Sequence, residues 1–275
     1  MDESIKKIAL LGMGTVGGGV YEILAKQKPN MPAKIGCTLE VAKVLVRNKA
    51  KYADKVPADP LTDQWSDVIN DDSISIVVEV MGGIEPARTY IREALSKGKH
   101  VVTANKDLMA THGHELLEIA REHQCDLLFE AAVAGGIPII RPMKQCLLGN
   151  DITEVMGIIN GTTNFILTKM AEDGMEFDDA LKLATDLGYA EADPTADIEG
   201  YDAGRKLAIM ASIAFHSSVT FDDVYTEGIS KITAKDIRYA HELGYEIKLL
   251  GLAKLTPEGI EVKVHPTMIP LQHPL

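Results

Sequence analysis

Two residues in the second half of the chain, Asp202 and Lys206, have the types and the spacing for proton chemistry. Residues four apart project from one face of a helix, and the helix dipole favours a carboxylate on the amino-terminal side of a lysine. An isolated pair of this kind is usually an exposed ion pair worth about 0.3–0.5 kcal/mol. Here an acidic stretch, from Glu191 to Glu199, comes just before the pair. That crowding favours an active site over an exposed ion pair.

The acidic stretch is predicted to be a loop between two helices. Gly188 ends an apolar-periodic helix over 177–187, and Gly200 leads into a second helix over 201–215. Asp193-Pro194 forces an extended turn between them. The loop would therefore place its acidic side chains near the start of the helix that carries the Asp–Lys pair.

The region over 184–206 resembles the signature of homoserine dehydrogenases. The resemblance extends over the rest of the chain, from an amino-terminal glycine loop through Asn105-Lys106 to the turn at 160–163. The fixed positions of the signature are met by Ala184, Gly188, Tyr189, Ala190, Asp193, Pro194, Asp197, Ile198, Gly200, Asp202 and Lys206.

Composition is that of a soluble enzyme rather than a nucleic-acid-binding protein. The 275 residues are 46% apolar and 25% charged, with a net charge of −12, enough chain for one large or two modest domains. An acidic chain repels phosphate backbones, and no basic run with interleaved aromatic residues offsets this. Nucleic acid is therefore excluded as a partner.

The cysteines and the amino terminus indicate a cytoplasmic protein. Cys37, Cys125 and Cys146 are odd in number and lack metal-ligand spacing, which argues against a disulfide framework. Met1 to Lys7 leads into a strand without a charged-then-apolar leader, and no apolar run approaches the roughly 18 residues of a membrane span. Secretion and membrane insertion are both disfavoured.

A glycine pattern near the amino terminus predicts a dinucleotide site. The apolar strand 8–11 runs into Gly12-Met13-Gly14-Thr15-Val16-Gly17, and an apolar-periodic helix follows. The first glycine makes the tight turn, the second lets the backbone approach a pyrophosphate, and the third lets helix and strand pack closely. Such a pattern is weak alone but specific between a strand and a helix. We expect Gly12, Gly14, Thr15, Val16 and Gly17 to contact the cofactor.

The end of the second strand bears on which cofactor binds. The strand over 39–46 ends at Arg47, with Asn48 and Lys49 behind it, where an NAD-selective site usually places an acidic residue. Arg47 instead suits a 2′-phosphate, so NADP is expected to bind at least as well as NAD. The alternative is a solvated basic strand end.

The first half of the chain alternates strands and helices. Strands are predicted over 74–80, 100–103 and 126–129, with helices over 86–96 and 108–123. This pattern predicts an α/β fold, a doubly wound Rossmann-type parallel sheet over 1–140. Ligands bind beyond the carboxyl ends of such strands.

Three residues follow predicted strand ends, and we expect them at the cofactor: Gly82, Asn105 and Lys106. A lysine capping a strand end is usually only solvated. The resemblance implies a catalytic or substrate-proximal lysine at Lys106.

From about residue 150 the pattern changes to segregated strands and helices. A strand over 152–159, a turn over 160–164, two or three helices and strands over 246–255 and 260–265 predict an α+β substrate and dimerisation domain over 141–275. Thr162 could cap a helix over 164–170, a role compatible with a hydroxyl that also faces substrate. Gly161 and Thr162 are candidate substrate contacts.

The resemblance also implies a monovalent cation, Na⁺ by expectation, in the segment 130–138. By position its ligands would be Glu130 and the main chain of Val133, Gly135 and Ile137. Oxygen ligands from the backbone suit a hard ion. The alternative is a small-residue crossover between domains that holds no ion.

The implied reaction is reversible hydride transfer between NADP or NAD and the carbon that joins L-homoserine to L-aspartate 4-semialdehyde, in threonine, methionine and isoleucine biosynthesis. Lys206 and Lys106 would converge on the reacting oxygen, one as acid or base and the other as a cationic stabiliser. Glu191 and Asp202 would bind the substrate ammonium. A homodimer is expected.

Three other readings stay open. A semialdehyde dehydrogenase with a cysteine nucleophile would need an activated thiol beside a base, which no cysteine's local setting suggests. A non-catalytic cofactor-binding module would have no need for the acidic cluster. A dehydrogenase for another small amino or hydroxy acid is harder to separate, because carboxylates that hold an ammonium do not fix side-chain length.

Members of the family continue beyond residue 275, so the chain is expected to be shortened and weakly active or inactive.

Overall fold

The computed structural model describes residues 4–57 and 59–275, so the first three residues of the expected amino-terminal segment lie outside the described residues. The chain divides into two compact units between Gly135 and Gly136, slightly before the boundary that the sequence predicts after residue 140. Within the described residues, no helix combines the length and the apolar character needed to cross a membrane.

The first unit is built on a parallel sheet of six strands. The strand order is β3-β2-β1-β4-β5-β6, the order of the doubly wound dinucleotide-binding fold, so the predicted Rossmann-type sheet is confirmed. The strands are β1 (Ile5–Leu11), β2 (Thr38–Leu45), β3 (Leu61–Thr62), β4 (Ile74–Glu79), β5 (His100–Thr103) and β6 (Leu127–Leu128).

Helices connect these strands. Short 3₁₀ segments lie at Lys28–Asn30, Lys49–Tyr52 and Glu130–Ala132. The α-helices are α1 (Thr15–Gln27), α2 (Met31–Ile35), α3 (Ser66–Ile69), α4 (Ala87–Ser96) and α5 (Lys106–Glu122).

The core of the first unit surrounds β1, the central strand. Ile8, Leu10 and Leu11 are fully buried, as expected for a strand covered on both faces. Burying each such side chain stabilises the fold by about 1.5–3 kcal/mol. The core therefore fixes the carboxyl end of β1, from which the glycine turn leaves.

The second unit contains a mixed sheet of four strands in the order β7-β9-β10-β8. β10 pairs antiparallel with β9 over its whole length and parallel with β8. The strand predicted over 152–159 is shorter in the structure. The strands are β7 (Glu154–Gly157), β8 (Tyr225–Thr226), β9 (Tyr245–Thr256) and β10 (Gly259–Pro270).

Five helices accompany this sheet, which confirms the α+β class of the unit. A π-helical turn lies at Pro142–Cys146 and a 3₁₀ turn at Phe221–Asp223. The α-helices are α6 (Gly161–Glu172), α7 (Phe177–Asp186), α8 (Thr195–Ile198), α9 (Tyr201–Ala214) and α10 (Ala234–Glu242).

Helix α9 packs directly on the sheet. At Gly251 of β9, an added Cβ would lie 2.8 Å from the Ile159 side chain and 3.4 Å from that of Leu207 in α9, so a larger residue would require these side chains to shift. Leu207, Ala208 and Ala211 of α9 are fully buried. The sheet thus fixes the helix that carries the predicted Asp–Lys pair.

Candidate functional site

The glycine turn of the first unit has the geometry that dinucleotide binding requires. Gly12 has φ +97°, and a Cβ there would lie 2.9 Å from the Val80 carbonyl oxygen. A Cβ on Gly17 would collide with the Gly12 carbonyl oxygen, so strand and helix can approach only because it is absent. Gly14 precedes α1 and has no atom within 4 Å of its Cβ position. That open space, at a helix amino terminus, fits a pyrophosphate.

A pocket of about 540 Å³ opens beside this turn. Its wall consists of the glycine turn, the end of β2 and the loop after β4. Arg47 and Lys51 supply cations to the wall, and Asp63 and Glu85 supply carboxylates. Arg47 is exposed just after β2 and lines the same pocket as Gly12 and Gly14. Thr15 and Val16 are exposed at the start of α1.

The other predicted cofactor residues lie at the ends of β4 and β5. Gly82 lines the pocket with φ +76°. Asn105 is buried and caps α5, because its side-chain oxygen accepts from the Leu108 N–H at 3.1 Å. The cap starts the helix at Lys106, two residues before the start predicted at 108. Lys106, half-buried, is thus the first helical residue.

The segment predicted to bind a cation has an unusual backbone. Glu130 begins a single 3₁₀ turn, and Val133 is fully buried after it. Ala134 and Gly135 then both have left-handed φ values, +60° and +57°. An alanine in this region is uncommon, and the conformation redirects successive carbonyl groups. Ile137 is 70% exposed. One carboxylate with main-chain carbonyls is a donor set that suits a hard cation.

A buried asparagine organises the candidate site of the second unit. Asn160 donates from Nδ2 to Asp197 Oδ1 at 2.7 Å and to Asp202 Oδ2 at 2.9 Å. Its Oδ1 accepts from the Thr163 N–H at 2.8 Å and from the Thr163 hydroxyl at 2.9 Å. Because the Thr163 N–H can only donate, the amide orientation is fixed. Asn160 therefore holds two carboxylates side by side.

Lys206 completes this cluster. Its Nζ donates to Asp202 Oδ2 at 2.6 Å and to the Ile159 carbonyl at 3.1 Å. The two side chains are 19% and 7% exposed, whereas the Lys182–Asp186 pair of α7 has the same spacing but is 74% and 59% exposed. The predicted pairing is confirmed, and its burial sets it apart from an ordinary surface ion pair.

The cluster opens on a pocket of about 450 Å³. An aromatic pair on its wall, Phe165 and Tyr189, has ring centroids 4.8 Å apart. A pocket of this volume, lined by carboxylates, an ammonium and a hydroxyl, can hold a small polar molecule. Its lining residues are Asn160, Gly161, Thr162, Phe165, Tyr189, Asp197, Asp202 and Lys206.

The predicted capping role of Thr162 is wrong. Helix α6 begins at Gly161, and Asn160 is its cap. The Thr162 hydroxyl instead donates to the Tyr189 carbonyl at 2.9 Å, which ties the start of α6 to the loop before α8. Gly161 and Thr162 still line the pocket, whereas the exposed Glu191 does not contribute to its wall.

The acidic loop contains a structural element that spacing alone does not predict, the short helix α8. Asp193 accepts from the Thr195 N–H at 3.1 Å, and hydrogen bonds from the Thr195 side chain and backbone lower the pKa of this exposed carboxyl. Asp193 therefore turns the chain into α8, and Asp197 within α8 reaches Asn160.

Sequence reasoning missed Asn160 and Asp197 as parts of the site. Asp197 is one of the signature positions and Asn160 begins the turn at 160–163, but no catalytic or binding role is predicted for either. The available signal was a turn carrying Asn-Gly-Thr-Thr directly before a helix, since asparagine is a strong helix cap that leaves its amide nitrogen to serve a second partner.

These features define a class of proteins, in which a Rossmann-type nucleotide-binding unit is followed by an α+β unit with its own polar pocket. Residues 12–130 match the family model described as "Homoserine dehydrogenase, NAD binding domain", and residues 138–275 match that of "Homoserine dehydrogenase". The chain belongs to the homoserine dehydrogenase family.

Individual homoserine dehydrogenases are also similar in sequence to this chain. The chain is 48% identical to the homoserine dehydrogenase of Bacillus subtilis and 50% identical to that of Corynebacterium glutamicum, over 98% of its own length in each case. It spans 62% and 61% of those relatives.

Solved structures show the same fold. A homoserine dehydrogenase from Thiobacillus denitrificans superposes with a TM-score of 0.94 at 48% identity, over 99% of this chain and 64% of that one. A putative homoserine dehydrogenase from Archaeoglobus fulgidus gives 0.87 at 33% identity, over 98% and 86%. A hyperthermophilic archaeal homoserine dehydrogenase in complex with NADPH gives 0.83 at 26% identity, over 98% and 84%.

Proposed function

We propose that this chain interconverts L-homoserine and L-aspartate 4-semialdehyde with a nicotinamide cofactor, a step towards threonine, methionine and isoleucine. The observation that carries the proposal is the buried Asn160–Asp202–Lys206 cluster on a 450 Å³ pocket, in a member of this family. A non-catalytic binding module would have no use for such a cluster. The bound nicotinamide would supply or accept the hydride, and the residues of the chain would bind, orient and move the proton.

Lys206 is the proposed general acid or base. Two of its three N–H groups are directed to protein oxygens in the described part of the chain, on Asp202 and Ile159. The third can reach a substrate oxygen in the pocket. Asp202 holds the ammonium group of Lys206 in place, and Asn160 holds Asp202. We assign to Lys106 the second lysine role, the cation that stabilises the developing alkoxide.

The substrate ammonium is proposed to bind Asp202 and Glu191, with Thr162 and Gly161 on the pocket wall. The adjacent carboxylates of Asp197 and Asp202 make the pocket electronegative, which favours a cationic group. Glu191→Gln should raise KM for homoserine more than it lowers kcat. An unchanged KM would remove Glu191 from the substrate site.

The cofactor is proposed to lie on the glycine turn, held by Gly12, Gly14, Thr15, Val16, Gly17, Arg47, Gly82, Asn105 and Lys106. NADP should bind at least as well as NAD, because Arg47 and Lys51 both line the pocket and a 2′-phosphate adds negative charge. Paired titrations of the two cofactors test this. A clear preference for NAD, with Arg47→Glu leaving NADP affinity unchanged, would contradict it.

We also propose that Na⁺ binds Glu130 and the main chain of Val133, Gly135 and Ile137. The left-handed backbone at Ala134 and Gly135 supports it, since it redirects carbonyl groups. Addition of Na⁺ should raise the unfolding temperature of the chain but not that of Glu130→Ala. Equal shifts in both would count against the site.

A homodimer in the cytoplasm completes the proposal. Light scattering measures the oligomeric state directly, and a monomer at micromolar concentration would overturn that part.

The decisive experiment is an assay of reduced nicotinamide by absorbance, with L-homoserine and NADP or NAD, on the chain beside a homologous full-length relative. Other small amino and hydroxy acids at equal concentration serve as competing substrates, because they represent the remaining dehydrogenase reading. Turnover of homoserine above these substrates supports the proposal. Turnover only of another acid would replace the substrate, and cofactor binding without turnover would leave a binding module.

A further inference from the structure

A charged side chain is buried at the end of β4, directly beneath the cofactor pocket. Glu79 is 0% exposed, in a strand whose other buried residues are Ile74, Val77 and Val78. A buried carboxylate is expensive unless hydrogen bonds satisfy both of its oxygens. The burial of Glu79 therefore indicates a structural or functional role for its carboxylate.

Both oxygens of Glu79 accept hydrogen bonds, two from the loop after β4 and one from the end of β5. Oε1 accepts from the Met81 N–H at 2.8 Å and from the Gly82 N–H at 3.3 Å. Oε2 accepts from the Thr103 hydroxyl at 2.6 Å. That hydroxyl in turn accepts from the Asn105 N–H at 3.0 Å, so its own proton must be directed to Glu79. The carboxylate thus joins the loop after β4 to the end of β5.

Asn105 closes the network into a ring. Its Nδ2 donates to the Gly83 carbonyl at 2.6 Å, while its Oδ1 accepts from the Leu108 N–H and caps α5. Glu79 and Asn105 therefore hold the same glycine loop from two sides. Thr103 connects them.

The loop needs such anchors because its own sequence specifies little. Gly82 and Gly83 both have positive φ, +76° and +75°, and glycine has the weakest backbone preference of any residue. The loop also sets the shape of the 540 Å³ pocket, since Val80, Met81 and Gly82 line it. The Val80 carbonyl oxygen lies 2.9 Å from the Cβ position of Gly12, so a displaced loop would disturb the glycine turn.

We propose that Glu79 is the positioning residue of the cofactor site. Its carboxylate fixes the loop 80–83 against the glycine turn and, through Thr103 and Asn105, fixes the start of the helix whose first residue is Lys106. The consequence for cofactor affinity rests on the proposed function, because it requires the pocket to bind a dinucleotide. The consequence for local order does not.

Thr103 offers a matched pair of variants. Thr103→Val has nearly the same shape but removes the hydroxyl that links Glu79 to Asn105, whereas Thr103→Ser keeps the hydroxyl. Glu79→Gln is the second disrupting variant, since its amide has one acceptor oxygen and cannot accept from both the loop N–H groups and the Thr103 hydroxyl. Glu122→Gln removes an exposed carboxylate at the end of α5 and serves as the control.

Amide hydrogen exchange and NADPH titration are measured on the 275-residue chain. In Thr103→Val and Glu79→Gln, the amides of Met81, Gly82 and Asn105 should exchange about tenfold faster, and NADPH should bind about tenfold more weakly, as for one lost hydrogen bond to a charged group. Thr103→Ser and Glu122→Gln should stay within about twofold. Rescue by serine identifies the hydroxyl as the link.

Wild-type exchange at these amides in folded Thr103→Val and Glu79→Gln overturns the proposal. So does faster exchange spread evenly over the sheet, because that pattern indicates general destabilisation. Failure of the unaltered chain to bind NADPH would defeat the cofactor proposal, while the exchange comparison still decides the positioning role.

Discussion

The pocket at the glycine turn of the first unit and the pocket at Asn160 in the second unit are formed by different kinds of groups. In the first unit, Gly12 and Gly17 create space by the absence of side chains, and the groups presented at the turn belong to the backbone. In the second unit, the buried Asn160 and Asp202 and the part-buried Lys206 are joined by hydrogen bonds of 2.6–2.9 Å. One site is defined by shape, and the other by the placement of donors and acceptors.

This difference determines which substitutions each site should tolerate. A shape-defined site should be damaged by one added carbon atom, even an apolar one. A donor–acceptor site should be damaged by a change of a single atom type at constant volume, because an unpaired buried polar group loses its solvation without replacement. Substitutions of these two kinds, applied to both units, test the contrast.

The largest effect is expected for Lys206→Met, which keeps much of the side-chain volume and removes the charge. Because Lys206 is the proposed general acid or base, its loss should lower kcat by roughly 10²–10⁴-fold while cofactor binding to the first unit is retained. The matched control is Lys182→Met in α7, which breaks an exposed pair of the same spacing. Steady-state kinetics with homoserine measure both.

An exposed ion pair contributes about 0–1 kcal/mol, so Lys182→Met should leave kcat within about twofold. Near-normal turnover in Lys206→Met would refute its role. It would also mean that burial of the pair serves the fold alone.

Asn160→Asp should have the next largest effect. It replaces two N–H donors by an acceptor beside Asp197 and Asp202, so about 3 kcal/mol of stability should be lost. Two neighbouring carboxylates raise the pKa of the new carboxyl above its unfolded value. The loss of stability should therefore be smallest at acidic pH and should grow as pH rises through that raised pKa.

Urea unfolding of Asn160→Asp at several pH values measures this effect, with the exposed Asn150→Asp as the control. A deficit in Asn160→Asp that does not depend on pH would show that charge repulsion is not its cause.

Gly17→Ala is the corresponding test of the first unit. Its methyl group would meet the Gly12 carbonyl oxygen, a backbone atom that cannot move alone, so about 1–3 kcal/mol should be lost. NADPH affinity should fall with it, because the glycine turn must shift. Thermal unfolding and cofactor titration give the two values.

Gly18→Ala, one residue later in the same helix, has no atom within 4 Å of its Cβ position. It should stabilise the chain by about 0.5–1 kcal/mol through helix propensity. If both alanines destabilise equally, space at the turn is not what selects glycine there.

The contrast also explains how much could be predicted from the sequence. The glycine turn was predictable because each of its glycines reports a local backbone requirement, and a strand and a helix flank it. The Asp202–Lys206 pair was predictable because its partners are four residues apart. Local patterns encode local geometry.

The missing parts depend on contacts between distant residues. Asn160 lies 37 residues from Asp197 and 42 from Asp202, and Glu79 lies 24 residues from Thr103. No spacing rule links such positions, and from the sequence alone Glu79 is only a charged residue in an apolar strand. The helix start at 161 was missed for a related reason, because capping was assigned to Thr162 rather than to the asparagine before it.

The smallest effect is expected at Ala134, where the first unit has a side chain in a backbone conformation that suits glycine. Its φ of +60° is strained for an L-residue, whereas Ala131, three residues earlier, lies in an ordinary 3₁₀ turn. Ala134→Gly should therefore gain up to about 1 kcal/mol, since relief of strain exceeds the added entropy of the unfolded chain. Ala131→Gly should lose about 0.5–1 kcal/mol by the entropy cost alone. Thermal unfolding in Na⁺ and in a Na⁺-free buffer compares the two, and equal losses would show that the left-handed backbone at 134 carries no strain for glycine to relieve.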